Sequence, residues 1–98
     1  MNEKKATSAK EAALISIREQ INGNDSKTQC KRLLEALARF SINTFEASRY
    51  LDVYYAPARV MSLRNQGYDI TTYWETVTTE AGEKHRVGRY ELRQGGER

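Results

Sequence analysis

The feature that most constrains the fold of this chain is a change of hydrophobic period at Tyr68. Before this residue, apolar side chains recur every three or four positions, which is the spacing of one helix face. From Ile70 to Leu92 the spacing alternates instead, on both sides of a turn at Gly82. Threonines dominate the first alternating segment, and β-branched residues favour strands. The sequence therefore predicts several helices followed by one β-hairpin over residues 69–92.

Four helical segments precede the hairpin, and each begins at a residue suited to a helix start. The predicted first residues or caps are Ser8, Asp25 or Ser26, Asn43, and Ala56 followed by Pro57. The second segment has the strongest helical signal, because Cys30, Leu33, Leu34 and Leu37 share one face. Gly67 follows the fourth segment, where a left-handed residue commonly ends a helix. The predicted fold is α+β, with three core helices, a C-terminal hairpin and an extra N-terminal helix.

The length of 98 residues fits one small domain. We predict an N-terminal arm with a helix at residues 1–24, a folded domain at 25–92 and a flexible tail at 93–98. Three apolar residues of the first helix, at positions 14, 17 and 21, form a narrow stripe. This stripe fits docking onto the domain, a small contact in a homodimer, or a disordered arm.

Composition excludes several classes of protein. The single cysteine, Cys30, rules out an intramolecular disulfide and suits a reducing cytoplasm. No apolar run near the N-terminus is long enough for a signal peptide or a membrane span, so we expect a soluble protein without a membrane partner. One histidine and one cysteine on different elements do not make a catalytic or metal site. We therefore expect no enzyme activity, no cofactor, no metal and no small-molecule substrate.

Helices followed by a two-stranded ribbon form the element order of a winged helix. The segments TQCKRLLEAL (28–37), NTFEA (43–47) and APARVMSLRNQGYDI (56–70) resemble a family of small helix-turn-helix proteins common in phages and prophages. The similarity continues into RVGRYEL at residues 86–92. This resemblance implies a winged helix-turn-helix domain that binds double-stranded DNA. Transcriptional control and an accessory role in excision or replication are both compatible with it.

The fourth helical segment is the predicted recognition helix. At about 100° per residue, Ala56, Val60 and Leu63 form the face directed toward the core. Small side chains on the opposite face would let the helix enter a major groove, and asparagine can pair with adenine. The predicted DNA-binding residues of this helix are Ala58, Ser62 and Asn65, with Arg59 and Arg64 on its two flanks.

Basic residues elsewhere suit the DNA backbone. Lys84 and Arg86 lie at the predicted wing tip, and Lys27 and Lys31 lie near the start of the second helix, whose amides can also bind phosphate. Three glutamates near the wing argue against this role unless their carboxylates face away. These glutamates are Glu75, Glu80 and Glu83.

The modest net charge of +3 keeps a second class of function open. Residues 67–83 carry four acidic side chains and no basic one. A winged-helix module that binds another protein, through Tyr54, Tyr55 or Tyr73, is therefore the alternative. We expect one of Tyr54 and Tyr55 to lie in the core. The aromatic side chains in or next to the hairpin are expected to pack between the hairpin and the helices. These residues are Tyr68, Tyr73, Trp74 and Tyr90.

Overall fold

The computed structural model describes residues 8–93 of the chain. Its helices are α1 (Ala9–Gln20), α2 (Ser26–Leu37), α3 (Thr44–Tyr50) and α4 (Ala56–Asn65), and its strands are β1 (Ile42–Asn43), β2 (Ile70–Thr78) and β3 (Lys84–Leu92). Apart from Arg93, the predicted tail at 93–98 lies outside the described residues, as do the first seven residues of the predicted arm.

The helix starts agree with the predicted caps. The Ser8 hydroxyl accepts from the Glu11 amide at 3.1 Å, and the Glu11 carboxylate accepts from the Ser8 amide at 3.4 Å. Asn43 and Glu46 form the same reciprocal pair at the start of α3. Asp25 caps α2 by accepting from the Thr28 amide at 3.2 Å. The starts of α1, α2 and α3 are therefore defined by hydrogen bonds within their own first turns.

The hairpin joins a third strand that the sequence analysis did not identify. The sheet is antiparallel with the order β1-β3-β2, so β3 lies at its centre. In β1, Ile42 pairs with Tyr90 and Asn43 pairs with Arg89. A strand of two residues is too short to show an alternating pattern, and only its pairing with β3 defines it. The α+β winged-helix fold class is confirmed, with β1 as an addition.

The core fills the space between the helices and one face of the sheet. The inward face of α4 is confirmed, because Ala56, Val60 and Leu63 are all buried. Leu14 and Ile17 of α1 are also buried, and α1 contacts α2 and α3. Docking onto the domain is therefore the arrangement that α1 adopts in the chain.

A buried guanidinium connects three segments behind this core. Arg32 of α2 is 1% exposed. Its Nη1 donates to the carbonyls of Ile21 and Gly23 at 2.8 and 2.9 Å, and its Nη2 donates to the carbonyl of Asp52 at 3.1 Å. Asp52 has a positive φ of 57° in the turn between α3 and α4. Arg32 thus holds the end of α1 and the helix-turn-helix turn to the same helix.

The predicted packing of the aromatic residues is largely wrong. Tyr90 is buried, but Tyr68, Tyr73 and Trp74 are 40, 50 and 62% exposed. Tyr68 precedes β2, and Tyr73 and Trp74 lie on β2, an outer strand of the sheet, whereas Tyr90 lies on the central strand β3. Tyr54 and Tyr55 are both exposed as well, because the neighbouring apolar positions in the core are occupied by Val53 and Ala56.

Candidate nucleic-acid interface

Most side chains on the outer face of α4 are small or polar, and none is acidic. Asn65 is exposed, Met61 is 53% exposed, and Ala58 and Ser62 are half-buried. No aspartate or glutamate occurs in α4. A helix of this kind can approach a polyanion closely, since neither bulk nor like charge keeps it away.

One flank of α4 borders a groove shared with α2. The groove has a volume of about 720 Å³. Lys27 and Lys31 line it from α2, and Ser62 lines it from α4, so the fold brings together three of the predicted residues. Gln66 and Tyr68 also line this groove, and the sequence analysis assigned neither of them to the interface. Gln66 follows Ser62 by four residues, so the helical period alone would have indicated it.

The two arginines of α4 have different surroundings. The guanidinium of Arg64 donates to the Ile70 carbonyl at 3.0 and 2.7 Å, and to the Thr72 hydroxyl at 2.9 Å. This side chain fastens the end of α4 to β2 instead of projecting from the helix. Arg59 is half-buried on the flank nearer α2, and its Nε has no partner within residues 8–93.

The wing presents its basic residues on the same sheet face as the core contacts. Cross-strand partners share a face, and Thr72 pairs with Tyr90, Trp74 with Gly88, Thr76 with Arg86 and Thr78 with Lys84. Because Tyr90 is buried and Thr72 contacts Arg64, this face, hereafter the α4-side face, is the one that α4 covers at its base. Lys84 and Arg86 lie farther out on it. The Arg86 guanidinium lies 5.6 Å from the ring of Trp74, a cation–π distance.

The opposite face of the hairpin holds a carboxylate that the sequence analysis counted against DNA binding. Glu75 accepts from Arg89 Nε at 3.0 Å and from Asn43 Nδ2 at 2.8 Å. These hydrogen bonds, that from Arg89 first, lower the pKa of Glu75, and the same carboxylate raises the pKa of Arg89. Arg89 also contacts Glu46, which binds Lys10 of α1 at 3.1 Å.

The other two glutamates are exposed near the turn of the hairpin. Glu80 lies 3.4 Å from Arg49 of α3, and Glu83 precedes β3. With Glu75 on the far side, Lys84 and Arg86 share the α4-side face with no acidic residue of either long strand. On the α4-side face of the wing, no acidic side chain of β2 or β3 therefore lies between Lys84 and Arg86.

Other kinds of site find no support in the described part of the chain. Between Ser8 and Arg93, no group of three histidine, cysteine, aspartate or glutamate side chains is placed to hold a metal ion. Cys30 is buried against α4, where its thiol lies 3.9 Å from the Arg59 carbonyl. No helix within these residues is long and apolar enough to cross a membrane.

Comparison with known proteins agrees with this geometry. A family model described as a winged helix-turn-helix domain matches residues 28–95, which run from α2 through β3. No curated protein and no solved structure matches the chain. The match covers more than half of the sequence and begins after α1. The matched segment therefore contains the helices α3 and α4, most of α2, and all three strands of the sheet. The chain belongs to the winged helix-turn-helix domain family, whose general role is DNA binding.

Proposed function

We propose that this protein binds double-stranded DNA in a sequence-specific manner, with α4 in the major groove and the β2–β3 hairpin as a wing. The observation that carries the proposal is the arrangement of charge around α4. An acid-free helix face lies between two pairs of exposed cations. These cations, hereafter the basic rim, are Lys27 and Lys31 on α2, and Lys84 and Arg86 on the wing.

The side chains of α4 would divide the work of recognition. Asn65 is exposed on the outer face and is suited to a bidentate contact with adenine. Ala58 and Ser62 permit a close approach, and Ser62 can hydrogen-bond a base or a phosphate. Arg59 would reach the DNA from the α2 flank. Arg64 would act indirectly, by fixing the angle between α4 and the wing through Ile70.

The basic rim would supply affinity without sequence information. Lysine and arginine contacts to phosphate release counterions, so binding weakens steeply as salt is raised. Gln66 and Tyr68 line the same groove as Lys27 and Lys31, and both have polar groups suited to a phosphate oxygen.

Residues 25–92 form the unit that would bind DNA, and α1 would stabilise this unit by packing against α2 and α3. The resemblance to small phage and prophage proteins favours transcriptional regulation or an accessory role in excision or replication, carried out in the cytoplasm without catalysis. A two-fold dimer reading a palindrome is compatible with this role, and so is a monomer.

Selection from random duplexes tests the proposal. Trp74 is the single tryptophan of the chain and adjoins Arg86, so its fluorescence reports binding at the wing directly. We expect an enriched sequence whose affinity falls with salt along a slope of several charges. Failure to enrich any sequence, together with no binding at about 50 mM salt, would exclude the proposal.

A second candidate function is binding to a protein, and one observation favours it. Tyr54 and Tyr55 are 74 and 65% exposed just before α4. Tyr54 also lines an open groove between α3 and the wing tip, together with Phe45 and Arg49. Substituting Tyr54 with serine should leave DNA binding unchanged if this groove serves a protein partner, and should weaken it if the groove faces DNA.

A further inference from the structure

The outer edge of β2 is open. Since β3 is central in the sheet, β2 has a strand neighbour on one side only among residues 8–93. Two hydrogen bonds fix the orientation of its backbone: the Arg93 amide donates to the Asp69 carbonyl, and the Thr79 amide donates to the Glu83 carbonyl. Successive residues of a strand direct their N–H and C=O groups to opposite edges. The backbone N–H and C=O groups of odd-numbered β2 residues are therefore directed toward β3. Those of even-numbered residues are directed toward the open edge.

The base of this edge is closed by a side chain. Arg64 donates to the Ile70 carbonyl at 2.7 Å, which agrees with the outward direction of that carbonyl. Farther along the strand, no residue of the described chain bonds to the outward backbone groups. Four residues carry these free N–H and C=O groups: Thr72, Trp74, Thr76 and Thr78.

The other edge of the sheet differs in its protection. β1 covers Arg89 and Tyr90, and the Thr44 hydroxyl lies 3.4 Å from the Gly88 carbonyl. Beyond that point, Lys84 and Arg86 occupy the edge, and charged residues oppose the addition of a strand.

Beyond Ile70, the β2 edge has none of these protective features among residues 8–93. The strand contains no lysine, arginine or proline, and its register with β3 runs through nine consecutive pairs without a bulge. Its one charge, Glu75, is neutralised by Arg89 at 2.9 Å. Long, regular edges of this composition bind further strands.

We infer that the β2 edge is the interface for a second copy of this chain, in which the two β2 strands pair antiparallel about a two-fold axis at Glu75. Two identical strands that pair antiparallel about a two-fold axis are self-complementary, because each contact occurs twice. A strand from a different protein has no such guaranteed match. The axis at Glu75 is the register that uses every free backbone group. Thr72 of one copy faces Thr78 of the other, and Trp74 faces Thr76, giving about eight backbone hydrogen bonds.

The side chains support this register. On the α4-side face, the two Trp74 rings become diagonal neighbours, within reach of each other. On the opposite face, Tyr73 of one copy lies across from Val77 of the other, a favourable aromatic and β-branched pair. Pairing thus covers two aromatic side chains that are 50 and 62% exposed in a single chain. The two Glu75 side chains face each other, and each keeps its own Arg89.

The orientation of the pair follows from the symmetry. A two-fold axis perpendicular to the sheet leaves the α4-side faces of both copies on the same side. Both α4 helices would therefore lie on the same side of the joined sheet. Association of two copies is measured without DNA, so its outcome is independent of the outcome for the proposed DNA binding.

Sedimentation of the full chain with a proline substitution tests the interface. The Thr76 amide points to the free edge, so Thr76→Pro removes a donor of the dimer and no donor of the β2–β3 ladder. We expect a dimer for the wild type and at least about a tenfold weaker dimer for Thr76→Pro, with unchanged circular dichroism. The matched control is Thr76→Val, which keeps the amide and should remain dimeric. If Thr76→Pro does not fold, the double variant Thr76→Lys with Thr78→Lys takes its place, with the same expectation.

Cross-linking tests the register. In antiparallel pairs without mutual hydrogen bonds, opposed α-carbons lie about 4.5 Å apart, which permits a disulfide. Air oxidation of Glu75→Cys should give a covalent dimer, whereas Tyr73→Cys should not, because the two Tyr73 positions are offset along the strands. Buried Cys30 is the same in both variants. A monomeric wild type at all concentrations, a dimer that Thr76→Pro leaves intact, or equal cross-linking of both cysteine variants would overturn the inference.

Discussion

The base and the tip of the hairpin use their charges in opposite ways. At the base, a polar cluster of Lys10, Asn43, Glu46, Glu75 and Arg89 joins α1, β1, α3 and the hairpin through hydrogen bonds and ion pairs. At the tip, Lys84 and Arg86 are exposed and form no ion pair with any residue from 8 to 93. Net charge is therefore a poor guide to binding. Cations that hold the fold are unavailable to a ligand, and those of the basic rim are available.

The largest expected effect concerns the most deeply held cation. Arg32→Met should lower the free energy of unfolding by about 3 kcal/mol, because three backbone carbonyls lose the charged donor that joins their segments. Urea denaturation measures this loss. The matched control is its neighbour Lys31→Met on the basic rim, which should change stability by less than about 0.5 kcal/mol. Equal losses in the two variants would remove the distinction between held and available cations.

A shortened chain sharpens the same prediction. A chain that begins at Asn24 lacks the Ile21 and Gly23 carbonyls, two of the three acceptors of Arg32. The loss caused by Arg32→Met should therefore be smaller in the shortened chain than in the full one, since the two changes remove a shared interaction. Additive losses would indicate that α1 stabilises the domain only through Leu14 and Ile17.

The next largest effect concerns base recognition. Asn65→Ala should reduce discrimination between the selected duplex and a scrambled one by about 1–3 kcal/mol, because a base contact is lost. Trp74 fluorescence titrations on both duplexes measure the difference. Thermal stability should not change, as Asn65 is exposed. Unaltered discrimination in Asn65→Ala would contradict the placement of α4 in the major groove.

Local signals explain why the order of elements could be predicted. The caps at Ser8 and Asn43, the proline start of α4 and the change of period at Tyr68 each act within a few residues. The inward face of α4 was predicted for the same reason, since helical geometry alone defines it.

Long-range pairing explains what the sequence could not indicate. The strand β1 exists only through its partners in β3, and the engagement of Arg64 depends on the position of the Ile70 carbonyl after the turn. The exposed state of Trp74 was missed because alternation assigns a face and does not say how far the helices extend over it. The DNA-binding role of the basic rim stays a prediction, made from the positions of its residues at a helix start and at the wing tip.

A smaller effect is expected at the wing tip. Lys84→Ala and Arg86→Ala should weaken binding to selected and scrambled duplexes alike, and each should reduce the slope of binding against salt by about one charge. Anisotropy titrations at several salt concentrations measure the slope. The contrasting variant is Arg89→Met at the base, which should lower stability and leave the slope unchanged. A reduced slope for Arg89→Met would show that the polar cluster also meets the DNA.

The smallest expected effect is a pH dependence at the polar cluster. The pKa of Glu75 lies below its ordinary value of 4.5, chiefly because Arg89 and then Asn43 donate hydrogen bonds to the carboxylate. A lowered pKa in the folded state means that ionised Glu75 stabilises the fold above the unfolded value. This contribution is lost as the pH falls through the folded pKa. Glu75→Gln removes the titration, so its melting temperature should lie below that of the wild type at neutral pH.

The difference between the two proteins should then shrink on acidification. Above about pH 6 the carboxylate is ionised in both states, and the gap between wild type and Glu75→Gln stays constant. As the pH falls from the ordinary value of 4.5 through the lower pKa of the folded state, the gap should close, because Glu75 of the wild type is then protonated in the folded protein as well. Glu80→Gln is the matched control, because Glu80 pairs with Arg49 at the exposed tip and its substitution should leave the acid profile of the wild type intact. A gap that persists in acid would mean that Glu75 stabilises the base of the hairpin through its shape and not its charge.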